Sequence, residues 1–204
     1  MTNTLDDSDT APVRDVARSV PVQDRHTAFG GAIWSVQRET FTLEDEQLTR
    51  EFVEHPGAVA VVALDDKDQV CLVRQYRHPV RSELWEIPAG LLDVPGESLV
   101  DAARRELAEE ADLSANDWSV LMDHYPTPGS SSEAIRIFLA RGLQEIPAEQ
   151  RHAREAEEAH MIRRWVPLDE AVTAALNGCL HNANTLIGVM AARLRTRNPD
   201  PDQP

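Results

Sequence analysis

Cysteine is scarce in this chain. Only Cys71 and Cys179 occur in 204 residues, and two lone thiols so far apart do not make a thiolate metal site. Both lie in apolar segments, so the expectation is two buried, reduced thiols in a cytoplasmic protein. Cationic residues are also short: 20 Lys and Arg stand against 35 Asp and Glu, a net charge of −15. A surface of that sign repels polyphosphate backbones and acidic lipid, which argues against general nucleic-acid or membrane-surface binding. An anionic ligand would need a local basic site or a bound cation. No apolar run approaches the ~18 residues of a membrane span. Residues 1–9 are polar and acidic and lack the apolar segment of a secretion signal. No internal repeat is visible.

What remains is an ordinary globular composition, 42% apolar, in a length that suits one domain with a sizeable core. Residues 1–24 are polar and aperiodic and are expected to form a disordered tail, as are 197–204. Residues 25–55 read as a small N-terminal β element: alternating β-structure over 29–43, a turn at Glu44-Asp45-Glu46, and a returning strand at 48–54. Such a hairpin needs a partner surface. The main domain is expected over 56–196. Residues 58–64 are a continuous apolar run, a buried strand. Further strands are expected at 70–75, 83–88, 118–125, 134–140 and 161–166. Helices are expected at 168–177, stopped by Gly178, and at 182–196.

The most informative stretch is 89–113. A loop bearing Gly90, Pro95 and Gly96 leads into a helix from Ser98. Ser98 and Asp101 have the spacing of a capping box, weakened by Asp in place of Glu. From Leu99 to Ala111 there is no Gly or Pro, and good helix formers dominate. Leu99, Ala103 and Leu107 form an apolar stripe. Glu106 and Glu110, four apart, share a face at the edge of that stripe. Like charges so placed repel by roughly 0.2–0.5 kcal/mol in water and more when half buried. A cation would relieve the repulsion, and carboxylate oxygens suit Mg²⁺ or Mn²⁺. Taken alone, the pattern is better explained by a solvated acidic face, the usual fate of Glu-rich helices.

The wider pattern resembles the signature of the Nudix hydrolases: Gly90, then Glu97, then Arg105-Glu106-Leu107-Ala108-Glu109-Glu110. Two departures stand out. Six residues instead of five separate Gly90 from Glu97, and the signature's second Gly is Asp112. The resemblance implies an α/β/α sandwich with a mixed sheet, which the order of expected elements also suggests. It implies hydrolysis of a nucleoside diphosphate derivative at its pyrophosphate. It also implies metal ligation by Glu106, Glu110 and the main-chain carbonyl of Ala89. Glu97 is expected to brace the loop through an Arg.

Outside the box the chain is similar to the ADP-ribose diphosphatase branch, at Arg50–His55, Arg74–Arg77, Leu84–Gly90, Pro128-Gly129 with Glu133, and Trp165–Leu168. That resemblance implies cleavage of ADP-ribose to AMP and ribose 5-phosphate, and a homodimer with exchanged N-terminal hairpins. It places substrate contacts at Trp34, Arg50, Arg77, Glu86, Leu91, Pro128, Gly129 and Glu133. Each has a plainer alternative: Trp34 as hairpin core, Arg77 and Arg50 as surface cations, Glu86 as an ion-pair partner, Pro128-Gly129 as a simple turn. The general base falls at Glu158, with Glu157 and Glu133 as alternatives. Other sugar nucleotides, and a nucleotide-sensing module without hydrolysis, are the competing functions.

Overall fold

A computed structural model describes residues 12–154 and 160–197. The expected base Glu158, its alternative Glu157 and nearly all of the expected C-terminal tail lie outside the described residues.

The N-terminal unit is a three-stranded antiparallel sheet of β1 (Val22–Gly30), β2 (Ser35–Leu43) and β3 (Glu46–Glu54), in that order. Two expectations are corrected here. The strand β1 begins inside the expected tail, and residues 29–43 break at 31–34 into a turn. All nine residues of β1 are exposed, so no buried alternation marks it in the sequence. The turn closes where Gly31 donates its N–H to the Trp34 carbonyl at 2.8 Å; a Cβ on Gly31 would lie 2.9 Å from that same oxygen.

The domain is built outward from β4 (Ala58–Ala63), six consecutive buried residues. It pairs in parallel with β9 (Ile135–Glu145) and antiparallel with β7 (Ala89–Leu91), and β8 (Leu113–His124) completes the order β7-β4-β9-β8. A second sheet runs β10-β5-β6, from β5 (Gln69–Arg77), β6 (Ser82–Glu86) and β10 (Ile162–Pro167). Alternate β4 side chains point to opposite faces. Val59, Val61 and Ala63 join one core with Ala103, Leu107 and Ala111 of α1 (Leu99–Ala111). Ala60 and Val62 join the other with Ala171 of α2 (Leu168–Leu176) and Val189 of α3 (Ala183–Arg197). Burial on both faces is why β4 reads as an unbroken apolar run. The result is the expected α/β/α sandwich with a mixed sheet.

Three boundaries differ from expectation. The strand β8 follows α1 directly, with Leu113 buried but Asn116 and Asp117 polar, so its first half carries no clear apolar pattern. The strand β9 runs on to Glu145, its last residues exposed. Residues 89–91, expected as loop, form β7. The thiols also split. Cys71 is buried in the α1-side core, and burial pushes it up to about 12. Cys179 is exposed, because Gly178 ends α2 and releases the chain to the surface.

Candidate active site

The site begins with the cap of α1. Ser98 Oγ accepts the Asp101 N–H at 3.2 Å and donates to the Asp101 carboxylate at 2.6 Å. The shorter acid thus meets the serine hydroxyl. With the helix start fixed, Glu106 and Glu110 project from the stripe edge and are buried, with relative exposures of 8% and 4%. The strand β7 passes beside them. A Cβ on Gly90 would lie 2.0 Å from the Glu106 carboxyl carbon, so the absence of a side chain there makes room for the carboxylate. One position earlier, the Ala89 N–H donates to Glu110 Oε2 at 2.9 Å.

Arg105 organises the surrounding acids. Its guanidinium forks onto Glu97 at 3.1 and 3.0 Å, and Nη1 also reaches Glu106 at 2.5 Å and Glu109 at 3.3 Å. These bonds, led by the one to Glu97, hold the Arg105 pKa above its ordinary value. Glu97 therefore braces the loop through an Arg, as the sequence suggests.

A pocket of about 890 Å³ opens beside these residues. Glu106, Glu109 and Glu110 line one wall with Ala89 and Leu91. Arg77 and Glu86 line another: Arg77 donates from Nε at 3.0 Å and from Nη2 at 2.7 Å to the two oxygens of Glu86, whose carboxylate is almost wholly buried. That bidentate fork fixes the plane of the guanidinium. At the rim Trp34 stacks on His55, ring centroids 5.9 Å apart and planes 25° from parallel. His55 Nδ1 accepts the Gly57 N–H at 3.0 Å, which puts the ring proton on Nε2, 3.7 Å from a Glu133 oxygen.

Two main-chain bonds, Val53 N–H to the Ser130 carbonyl and Ser132 N–H to the Val53 carbonyl, each 2.9 Å, fasten the loop before Glu133 onto β3. The N-terminus of α3 closes the pocket. There Asn182 caps Thr185 N–H at 3.0 Å, and Asn184 is held by His124 at 3.0 Å.

Trp34, Arg77, Glu86, Ala89, Leu91, Glu106, Glu110 and Glu133 thus meet in one pocket. Arg50 does not: it is exposed on β3 and donates to the Thr49 carbonyl at 2.9 Å. Pro128 and Gly129 lie in an exposed turn beside the lining residues Pro126 and Thr127. A Cβ on Gly129 would meet nothing within 4 Å, so no close backbone approach requires glycine there. His55, Gln75 and Asn184 line the pocket without having been singled out. Asn182 was read only as the first residue of the last expected helix; His55 gave no signal of its own, because its partner Glu133 arrives from a distant loop.

Among the described residues, no three His, Cys, Asp or Glu side chains already converge as a metal cluster. The donor set nonetheless fits a hard cation. Two buried carboxylates and a main-chain segment supply oxygens along one pocket wall, and the cradle over Gly90 holds a carboxylate there.

Residues 54–186 match the NUDIX domain, and the chain belongs to this family of hydrolases. It is similar to the ADP-ribose pyrophosphatase of Mycobacterium tuberculosis, 43% identical over 171 residues that cover 83% of this chain and 81% of that protein. The ADP-ribose pyrophosphatase of Bacillus subtilis is 32% identical over 168 residues, covering 82% of this chain and 89% of that protein. Among solved structures, an ADP compounds hydrolase aligns with a TM-score of 0.73 over 92% of this chain and 100% of its own, at 21% identity. That likeness is one of fold.

Proposed function

We propose that this protein hydrolyses the pyrophosphate bond of ADP-ribose, giving AMP and ribose 5-phosphate, with Mg²⁺ or Mn²⁺ as cofactor. The observation that carries the proposal is the meeting, in one pocket, of two buried carboxylates, a guanidinium held in a fixed plane and an exposed indole face. Glu106, Glu110 and the Ala89 carbonyl would hold the cation. When bound, it neutralises diphosphate charge and makes a bound water more acidic.

The other roles belong to the chain. Trp34 offers a flat face to a purine, with His55 supporting it from behind. Arg77 contacts a phosphate, oriented by Glu86. Leu91 lines the substrate's path beside the carboxylates. Glu158 removes the proton from the attacking water. Glu133 is the described alternative, on the pocket wall beside His55. The protein is a cytoplasmic homodimer through the N-terminal sheet, where Phe29 of β1 and Ile33 of the turn after it are exposed. A sensor without hydrolysis would dispense with a box carboxylate, whereas Glu106, Glu109 and Glu110 are all present.

Incubation with ADP-ribose and Mg²⁺ should release AMP. A parallel panel including GDP-mannose ranks the sugar nucleotides, and a clear preference for another member would overturn the ADP-ribose assignment. Glu110→Gln keeps an acceptor for the Ala89 N–H and should stay folded while losing turnover by orders of magnitude. Normal turnover in that variant would remove Glu110 from the metal site.

A further inference from the structure

The signature's second Gly is Asp112 in this chain, and the residue sits in the left-handed region at φ 53° and ψ 35°. A side chain there carries strain that Gly would not. Something must offset it, and the surroundings of Asp112 show what does. Its carboxylate, 12% exposed, accepts Arg154 Nη2 at 2.6 Å. The Nε of the same guanidinium donates to the Glu109 carbonyl at 2.8 Å. The Asp112 carbonyl accepts the Ile146 N–H at 2.9 Å. Arg154 therefore reaches from the connection after β9 back onto the last turn of α1.

That turn has no basic residue of its own, although the negative end of a helix favours one. Two arginines from elsewhere stand in. Arg154 takes the Glu109 carbonyl, and Arg163 Nη1 takes the Ala111 carbonyl at 2.5 Å. The carbonyls so held belong to the turn that carries Glu109 and Glu110.

We infer that Asp112 and Arg154 are a positioning pair. They fix the last turn of α1, and with it the aim of the Glu110 carboxylate, through a tie that a glycine at this position could not make. Neither side chain lines the pocket, so both act through α1. The inference rests on the hydrolase reading for its kinetic consequence and on geometry alone for its structural one.

The test compares Asp112→Gly, which relieves the strain and removes the carboxylate, with Arg154→Gln and with the double variant. A small misplacement of a reacting group costs on the order of 10–100-fold in rate. Each single variant should lose at least ~10-fold in kcat toward ADP-ribose with KM within about twofold, and the double variant should be no worse than either. Amide exchange of residues 108–113, measured without substrate or metal, should speed up at least ~10-fold in all three. Wild-type protection and wild-type kcat in Asp112→Gly would overturn the pair, as would losses that multiply in the double variant. The substrate reading fails separately: a wild-type protein that leaves ADP-ribose intact refutes it, while the exchange results still decide the pair.

Discussion

At the scale of single residues, the site depends on small spaces as much as on charges. Gly90 contributes a space. Its missing Cβ is where the Glu106 carboxylate lies, and any side chain would displace that carboxylate or push β7 away from α1. Gly90→Ala should therefore lower turnover at least as much as a misplaced ligand does, about 10–100-fold. Its far-ultraviolet circular dichroism should be unchanged, since β7 is only a short edge strand. Full activity in Gly90→Ala would mean that Glu106 has room to spare. The Arg77–Glu86 fork shows a different economy. It binds a cation to a buried acid, so the pocket keeps a positive group in an otherwise acidic protein. Sequence left Arg77 as a phosphate contact or a surface cation, and Glu86 as a substrate contact or an ion-pair partner. The geometry shows the ion pair directly, on the pocket wall.

At the scale of elements, packing sets tight tolerances. The helix α3 lies against the sheet through Gly188, where a Cβ would stand 2.9 Å from Val62 Cγ2 and 3.0 Å from Ile87 Cδ1. Gly188→Ala should cost about 1–3 kcal/mol through overpacking, despite the better helix propensity of Ala. Urea titration measures it; an unchanged or raised midpoint would show that α3 can lift without penalty.

The strands β8 and β9 are tied at their ends by Asp123, which accepts two bonds from Arg136, each 2.7 Å. Those bonds hold the Asp123 carboxyl below the usual range. A depressed folded pKa stabilises the fold above the unfolded value, about 4, and that stabilisation disappears as pH falls through the folded value. The urea midpoint should accordingly drop on acidification below about pH 4, and less steeply in Asp123→Asn. An identical acid dependence in that variant would remove the tie from the account.

Legibility followed pattern strength among these elements. The helix α1 was readable because its cap, its stripe and its lack of Gly and Pro agree. The strand β4 was readable because it is apolar throughout. By contrast, β1 has no buried face and left no trace. His55 and Glu133, 78 positions apart, meet only because the loop before Glu133 docks on β3. Arg154 likewise finds Asp112 through tertiary structure.

At the scale of the whole molecule, the N-terminal sheet stands apart from the two cores. Its outer strand is exposed throughout, and neither core cluster includes a residue from β1, β2 or β3. Three strands with so little burial need another surface for stability. The proposed homodimer supplies one, and light scattering should return a mass of about twice 22.7 kDa. A mass of one chain at micromolar concentration would refute it. With 15 net negative charges per chain, the long-range field opposes such a dimer, so the proposed association should tighten with added salt.

The two-sided strand β4 has a last consequence, for how the domain comes apart. Heat that loosens α2 and α3 also strips one flank of the same six residues that α1 leans on. Melting of either half should therefore unsettle the other, and calorimetry should show the sandwich lost in a single cooperative step. The outlying sheet, sharing no such strand, is at liberty to go first.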